Sequence, residues 1–181
     1  MNILRHNRKF RNRQSGMSLL EIMVALSVLM VGVLGSLVFM TMAIGSNFRN
    51  RQGSNATAIS QMMVEKIMSV GANVNPTLTI NDCAGNAHNI NTAAGGANPF
   101  DANGNISFTP APGSAGDPVG YNMLFTDCGT GGRQIVYDVR WNVQAPTLDT
   151  KLITVSTRMN TLVNDQKMFS PAVTVRSLLG P

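Results

Sequence analysis

The chain has 181 residues and an uneven charge: 14 Lys and Arg stand against nine Asp and Glu, a formal net charge of +5. Five of the basic residues, Arg5, Arg8, Lys9, Arg11 and Arg13, fall within the first 16 positions, and all nine acids lie beyond them. Residues 17–181 are therefore neutral as a whole, and the basic stripe that a nucleic-acid-binding domain needs does not appear in their sequence.

Behind the basic segment runs an apolar stretch, Met17–Ile44, 28 residues long with one charge, Glu21. A secretory signal peptide has an apolar region of about 7–15 residues and then a small-residue cleavage site. This stretch is too long, and no Ala-x-Ala sequence follows it. About 20 apolar residues suffice to span a bilayer, so the length fits a single membrane-crossing helix. Only Arg49 and Arg51 stand just after it. The basic excess on the leading side then sets residues 1–16 in the cytoplasm and everything past residue 45 on the outer side. A carboxylate inside a spanning helix costs about 2.5–3.5 kcal/mol or more, so Glu21 needs a reason to be there. One reason is local, since Ser18-x-x-Glu21 matches a capping box.

The other reason comes from a resemblance. Gly16-Met17-Ser18-Leu19-Leu20-Glu21 resembles the processing site of type IV prepilins. The resemblance implies that a dedicated peptidase cuts after Gly16, that the new N-terminus at Met17 is methylated, and that Glu21 serves assembly. Met17 stands where phenylalanine is usual, at a position that varies in the family. Residues 22–35 are similar to the minor pilins of the PilV type. Once cut, the chain would carry an α-amino charge at Met17, about one helical turn from Glu21. A buried charge is costly alone and far less so when paired. The amine of one subunit and the Glu21 of its neighbour would then set a register between apolar helices.

Taken further, the resemblance implies an α+β fold, with a long N-terminal helix packed on a small antiparallel sheet head. It implies a minor type IV pilin that helps prime pilus assembly and enters the filament at low copy near its tip. Its partners would be other minor pilins, the major pilin, the prepilin peptidase and the inner-membrane assembly machinery. Its location would be the inner membrane, as a single span with a periplasmic head, and later the extracellular pilus. A minor pseudopilin of a type II secretion system shares the same N-terminal features. A pilus-borne adhesin with its binding loop in residues 84–127 is the alternative of another kind. The family's usual helix proline is absent, with Val38 in its place. Gly32, Gly35 and Gly45 serve either close helix packing or local loosening of the helix.

The helix is expected to continue past the membrane to Val70, 54 residues from Met17, or about 80 Å if wholly helical. Ile59, Met63, Ile67 and Val70 form a helical stripe that should pack on the head. Ser60, Gln61, Glu65 and Lys66 are expected on the opposite face, and Gly71 supplies a stop. The organisation is thus a cleaved leader (1–16), a membrane and assembly segment (17–45), an amphipathic helical segment (46–71) and a head (72–181).

Within the head, residues 72–132 are rich in Gly, Pro and Asn and read as loops and turns, with short strands at residues 74–80 and 105–109. Cys83 and Cys128 bracket most of this region, and two cysteines in an exported domain are expected to form a disulfide. From residue 133 the pattern turns to β. Residues 134–143 alternate, with Ile135, Tyr137, Val139, Trp141 and Val143 opposite Val136, Asp138, Arg140 and Asn142. A second strand covers 151–159, joined through Ala145-Pro146, and a third covers 172–176. Such alternation means an antiparallel sheet with one face packed, and the striped helix is its partner.

No catalytic constellation stands out, and the chain is expected not to be an enzyme and to need no cofactor. One histidine, His6, lies in the leader, and His88 sits in a Gly- and Asn-rich region where a solvated loop position is expected. Asp101-x-Asn103-x-Asn105 resembles the opening of a calcium loop. Ile106 stands where that loop needs glycine and Pro112 where it closes on glutamate, so a turn is the expected use and no metal site is assigned.

Overall fold

The computed structural model describes residues 18–95, 98–129, 134–160 and 171–180. It contains one helix, α1 (Leu19–Met68), and six strands: β1 (Thr77–Asn81), β2 (Ala87–Asn91), β3 (Asn122–Cys128), β4 (Gln134–Thr147), β5 (Thr150–Met159) and β6 (Val173–Leu179). The chain divides into two compact units at Ser46/Asn47, and α1 begins in the first and ends in the second. The helix stops at Met68, two residues before the expected Val70. The carbonyl of Glu65 accepts from the Ser69 N–H at 2.9 Å, closing the last turn.

In the first unit every described residue, Ser18 to Ser46, is exposed. The helix is long and apolar enough to cross a membrane. Three hydroxyls within it turn inward on their own backbone. Ser27 and Ser36 donate to the carbonyls four residues earlier, Met23 and Gly32, and Thr41 donates to Val38, all at 2.8 Å. An apolar medium offers no water to such groups, so internal pairing is what lets them sit there.

In the second unit the fold is α+β. The C-terminal part of α1 packs on a four-stranded antiparallel sheet of order β3-β4-β5-β6, beside a small hairpin of β1 and β2. Ala56, Ile59, Met63, Val64 and Ile67 recur at helical spacing and are buried. They meet Tyr137, Val139, Trp141, Val143, Ile153 and Val155, which alternate along β4 and β5 on one sheet face. Full burial of a large apolar side chain contributes about 1.5–3 kcal/mol, so this contact is the main stabilising term of the head. Val70 is only half-buried. Ser60, expected on the outer face of the helix, is fully buried. It lies between the Ala56 and Met63–Val64 contacts and donates to Thr157 Oγ1 across the interface.

The sheet departs from the sequence reading in four places. The strand expected at 105–109 is an irregular segment with one isolated bridge, Phe100 to Ile106. The strand expected at 74–80 is β1, starting three residues later. Strands β2 and β3 lie inside the region read as loop. Ala145-Pro146 is not the β4–β5 link. It is a bulge within β4, where the register shifts between Gln144 and Thr147, and the turn is made by Leu148 and Asp149. Proline has no N–H for the ladder, so a bulge accommodates it.

The second face of the sheet is also covered. Asp138, Arg140 and Asn142 point away from the helix and yet are buried, beneath residues 98–110. Asn142 Nδ2 donates to the Asn98 carbonyl at 3.0 Å. Arg140 donates to Asp138 Oδ1 and Oδ2 at 2.9 and 3.2 Å and to the carbonyls of Ser107 and Pro110 at 3.3 and 2.8 Å. A contact to Asn98 Oδ1 at 3.4 Å completes its five donors. Phe108 lies beneath two guanidinium groups, with the Arg140 and Arg158 carbons 5.2 and 4.2 Å from its ring centre.

Candidate functional site

The residues of greatest interest stand at the start of α1. Gly16 and Met17 lie outside the described residues. Ser18 precedes the first helical residue, and its carbonyl accepts the N–H groups of Glu21 at 2.9 Å and Ile22 at 3.3 Å. The first turn is therefore closed by backbone. Glu21 is exposed, in the first turn, where a negative charge is favoured by the helix dipole. Around it Leu19, Leu20, Ile22, Met23 and Val24 are also exposed. A carboxylate is thus set within an unbroken apolar surface. A Cβ added at Gly32, Gly35 or Gly45 would meet nothing within 4 Å, so no packing among the described residues requires these glycines.

Residues 11–37 match the family model N_methyl, the prokaryotic N-terminal methylation motif. The chain carries a prepilin-like N-terminus. The methylation motif takes in the end of the basic segment, Gly16, Met17 and Glu21 together, and agrees with the general prepilin resemblance. The head built of a helix on a small antiparallel sheet has type IV pilin-like architecture. No curated protein and no solved structure was found to match the chain.

In the head, polar chemistry gathers where the β1–β2 hairpin meets β3. Cys83 and Cys128 are joined in a disulfide, with 5.8 Å between their Cα atoms and a sequence separation of 45. Beside it Asp82 is buried. Its Oδ1 accepts from the Asn86 N–H at 2.7 Å, and its Oδ2 from Asn86 Nδ2 at 3.0 Å and the Thr126 N–H at 3.3 Å. His88 Nε2 lies 3.3 Å from Oδ2. Burial alone would raise this carboxyl. The bonds from the Asn86 side chain and backbone, His88 and Thr126 outweigh it and hold Asp82 well below the usual carboxylate range.

His88 is therefore not a solvated loop residue. It lies on β2, half-buried, with its ring 6.2 Å from that of Phe125. The far end of the hairpin is fixed by the Asn91 N–H to the Gly120 carbonyl and by Trp141 Nε1 to the Asn91 carbonyl, both at 2.9 Å. Gly120 has φ +82°, and a Cβ there would come within 3.3 Å of Asn91 Cβ, so this junction requires glycine.

The segment resembling a calcium loop uses its acid internally. Asp101 Oδ1 accepts the N–H groups of Asn103 and Asn105 at 2.9 and 2.8 Å, which makes an Asx turn. Among the described residues no group of three or more His, Cys, Asp or Glu side chains is placed to hold a metal. Sequence reasoning missed the Asp82 hub entirely. Its one available signal was the Asp-Cys pair at 82–83, an acid next to a cysteine expected to be bonded.

Proposed function

We propose that the chain is a minor type IV pilin of the PilV type, a structural and assembly protein without catalytic activity. The observation that carries this reading is the methylation motif over residues 11–37, on a helix whose apolar surface is left exposed around Glu21. In this reading the prepilin peptidase cuts after Gly16 and Met17 becomes the methylated N-terminus. The chain is first a single-span inner-membrane protein with its leader in the cytoplasm and its head in the periplasm. Other minor pilins, the major pilin and the inner-membrane machinery then take it up, and it helps prime the filament near whose tip it stays.

The chemistry of Glu21 supports this. A carboxylate in an apolar surface stays charged at low cost only when an opposite charge meets it, and the methylated amine of a neighbouring subunit is such a charge. N-terminal mass spectrometry of membranes and sheared pili tests the reading. It should find a chain starting at Met17 and heavier by one methyl group. A chain starting at Met1, or one cut after the apolar run, would exclude it. A deletion strain should lose surface pili; normal pili with lost adhesion would point instead to a pilus-borne binding protein.

A further inference from the structure

Lys151, near the start of β5, is 3% exposed. Its ammonium has three donors, and the Val74 carbonyl accepts one of them at 2.7 Å. No carboxylate among the described residues forms an ion pair with it. Buried charges are ordinarily paired, and the same head shows what full pairing looks like at Arg140, where every donor is used. Burial pushes the Lys151 ammonium below its ordinary value.

Lys151 lines a cleft of about 550 Å³ together with Asn73, Asn75, Pro146, Thr147 and Leu148. The cleft lies between the segment that follows α1 and the tip of the β4–β5 hairpin. Leu148, in the two-residue turn, is 94% exposed, and Val74, between the two asparagines, is 55% exposed. Leu148 thus gives the rim of the cleft an exposed aliphatic side chain beside the buried ammonium.

We propose that this cleft receives an acidic peptide segment of a partner protein, whose Asp or Glu carboxylate pairs with Lys151 while a neighbouring aliphatic side chain rests on Leu148. The charge is complementary, and the free donors of the ammonium give the carboxylate its hydrogen bonds. An acidic sugar fits less well, because sugar rings bind by stacking on aromatic faces and no residue lining the cleft is aromatic. Asp149 also lines the cleft. It is exposed and unpaired with Lys151, so it opposes an incoming acid only weakly through solvent. The site is separate from the N-terminal motif and does not depend on the pilin reading.

The test uses the full chain in detergent micelles and two labelled peptides, Ala-Leu-Asp-Leu-Ala and its Asn counterpart, followed by fluorescence anisotropy. The Asp peptide should bind at least ~10-fold more tightly, a ratio that corresponds to one charge-assisted contact. Lys151→Met should abolish the preference, Asp149→Asn should strengthen binding of the Asp peptide, and Leu148→Ser should weaken both peptides alike. Equal binding of the two peptides, binding of neither, or a preference that survives Lys151→Met would overturn the proposal. Binding of glucuronate without binding of the peptide would overturn it in favour of a sugar acid. If Lys151→Met does not fold, the two exposed variants decide, and unchanged affinity in both rejects the site.

Discussion

Ser60 Oγ donates to Thr157 Oγ1 at 2.8 Å, with both side chains fully buried between α1 and β5. The pair stitches helix to sheet among the mainly apolar side chains of that contact. It also explains why a serine can occupy the packed face of the helix, since a buried hydroxyl is tolerated when it is bonded. Ser60→Ala should lower stability by about 1–2 kcal/mol, because Thr157 is left without its partner in a dry site. Adding Thr157→Val removes the orphaned hydroxyl and should recover most of that loss. Denaturant unfolding of the four members of this cycle checks both statements.

Loss of the disulfide should be the more severe change. On the chain-entropy account, closing a loop with a sequence separation of 45 stabilises the head by about 4 kcal/mol. Cys83→Ser with Cys128→Ser should therefore lower the unfolding midpoint strongly. Alkylation of the native protein without reduction should label neither cysteine. Free labelling of both would remove the staple from the account.

Asp82 gives the head an acid-sensitive term of definite sign. A carboxyl held below its ordinary value contributes stability that is full above about pH 3.9 and is lost as pH falls through its lower value in the fold. Stability of the wild type should fall on acidification below about pH 4. Asp82→Asn, less stable at neutral pH, should show a shallower fall over the same window. Parallel curves for the two proteins would mean that the Asp82 bonds do not discriminate between its charge states.

On the proposed reading Glu21 should matter for assembly and not for cleavage, because the cut would be made on the leader side of Met17. Glu21→Ala should still yield a mature chain while its share in sheared pili, relative to membranes, falls about tenfold, the factor that about 1.4 kcal/mol of lost pairing represents. Glu21→Gln keeps hydrogen bonding and removes charge; a similar fall would assign the effect to the ion pair. A subunit at the very top of a stack has no neighbour to meet this glutamate, so dependence on Glu21 would also put the chain below that position. Wild-type incorporation of Glu21→Ala would leave the glutamate a residue of the first helical turn and nothing more.

The parts of the fold that could be read from sequence were those in which one physical signal dominated. The Ile59–Met63–Ile67 stripe and the alternation of Tyr137, Val139, Trp141 and Val143 each reflect burial against one partner, and the apolar run with its single acid is read from its length and composition alone. The misreadings occurred where a residue's surroundings come from distant chain. Strand β2, Ala-His-Asn-Ile-Asn, has little β preference and exists because β1 pairs with it and Ile90 is buried. Strand β3 alternates Met123, Phe125 and Asp127 with Asn122, Leu124 and Thr126, so neither face is cleanly apolar. A strand was expected at residues 105–109, but this segment lies over Arg140, and the Ser107 carbonyl is spent there. At the N-terminus the motif was legible because Gly16, Met17 and Glu21 are adjacent in sequence; the Asp82 hub was not, because Thr126 reaches it from 44 residues away.

Arg140 holds the outer covering of the sheet chiefly through the main-chain oxygens of Ser107 and Pro110. Every residue type supplies such an oxygen. The exposed side chains between Asp101 and Thr109 can therefore be exchanged without loosening the anchor, provided the backbone keeps its path. The head thus separates the fastening of its outer layer from the identity of the surface it displays. A protein that faces changing surroundings could vary that surface by substitution while its core, its disulfide and its helix stay the same.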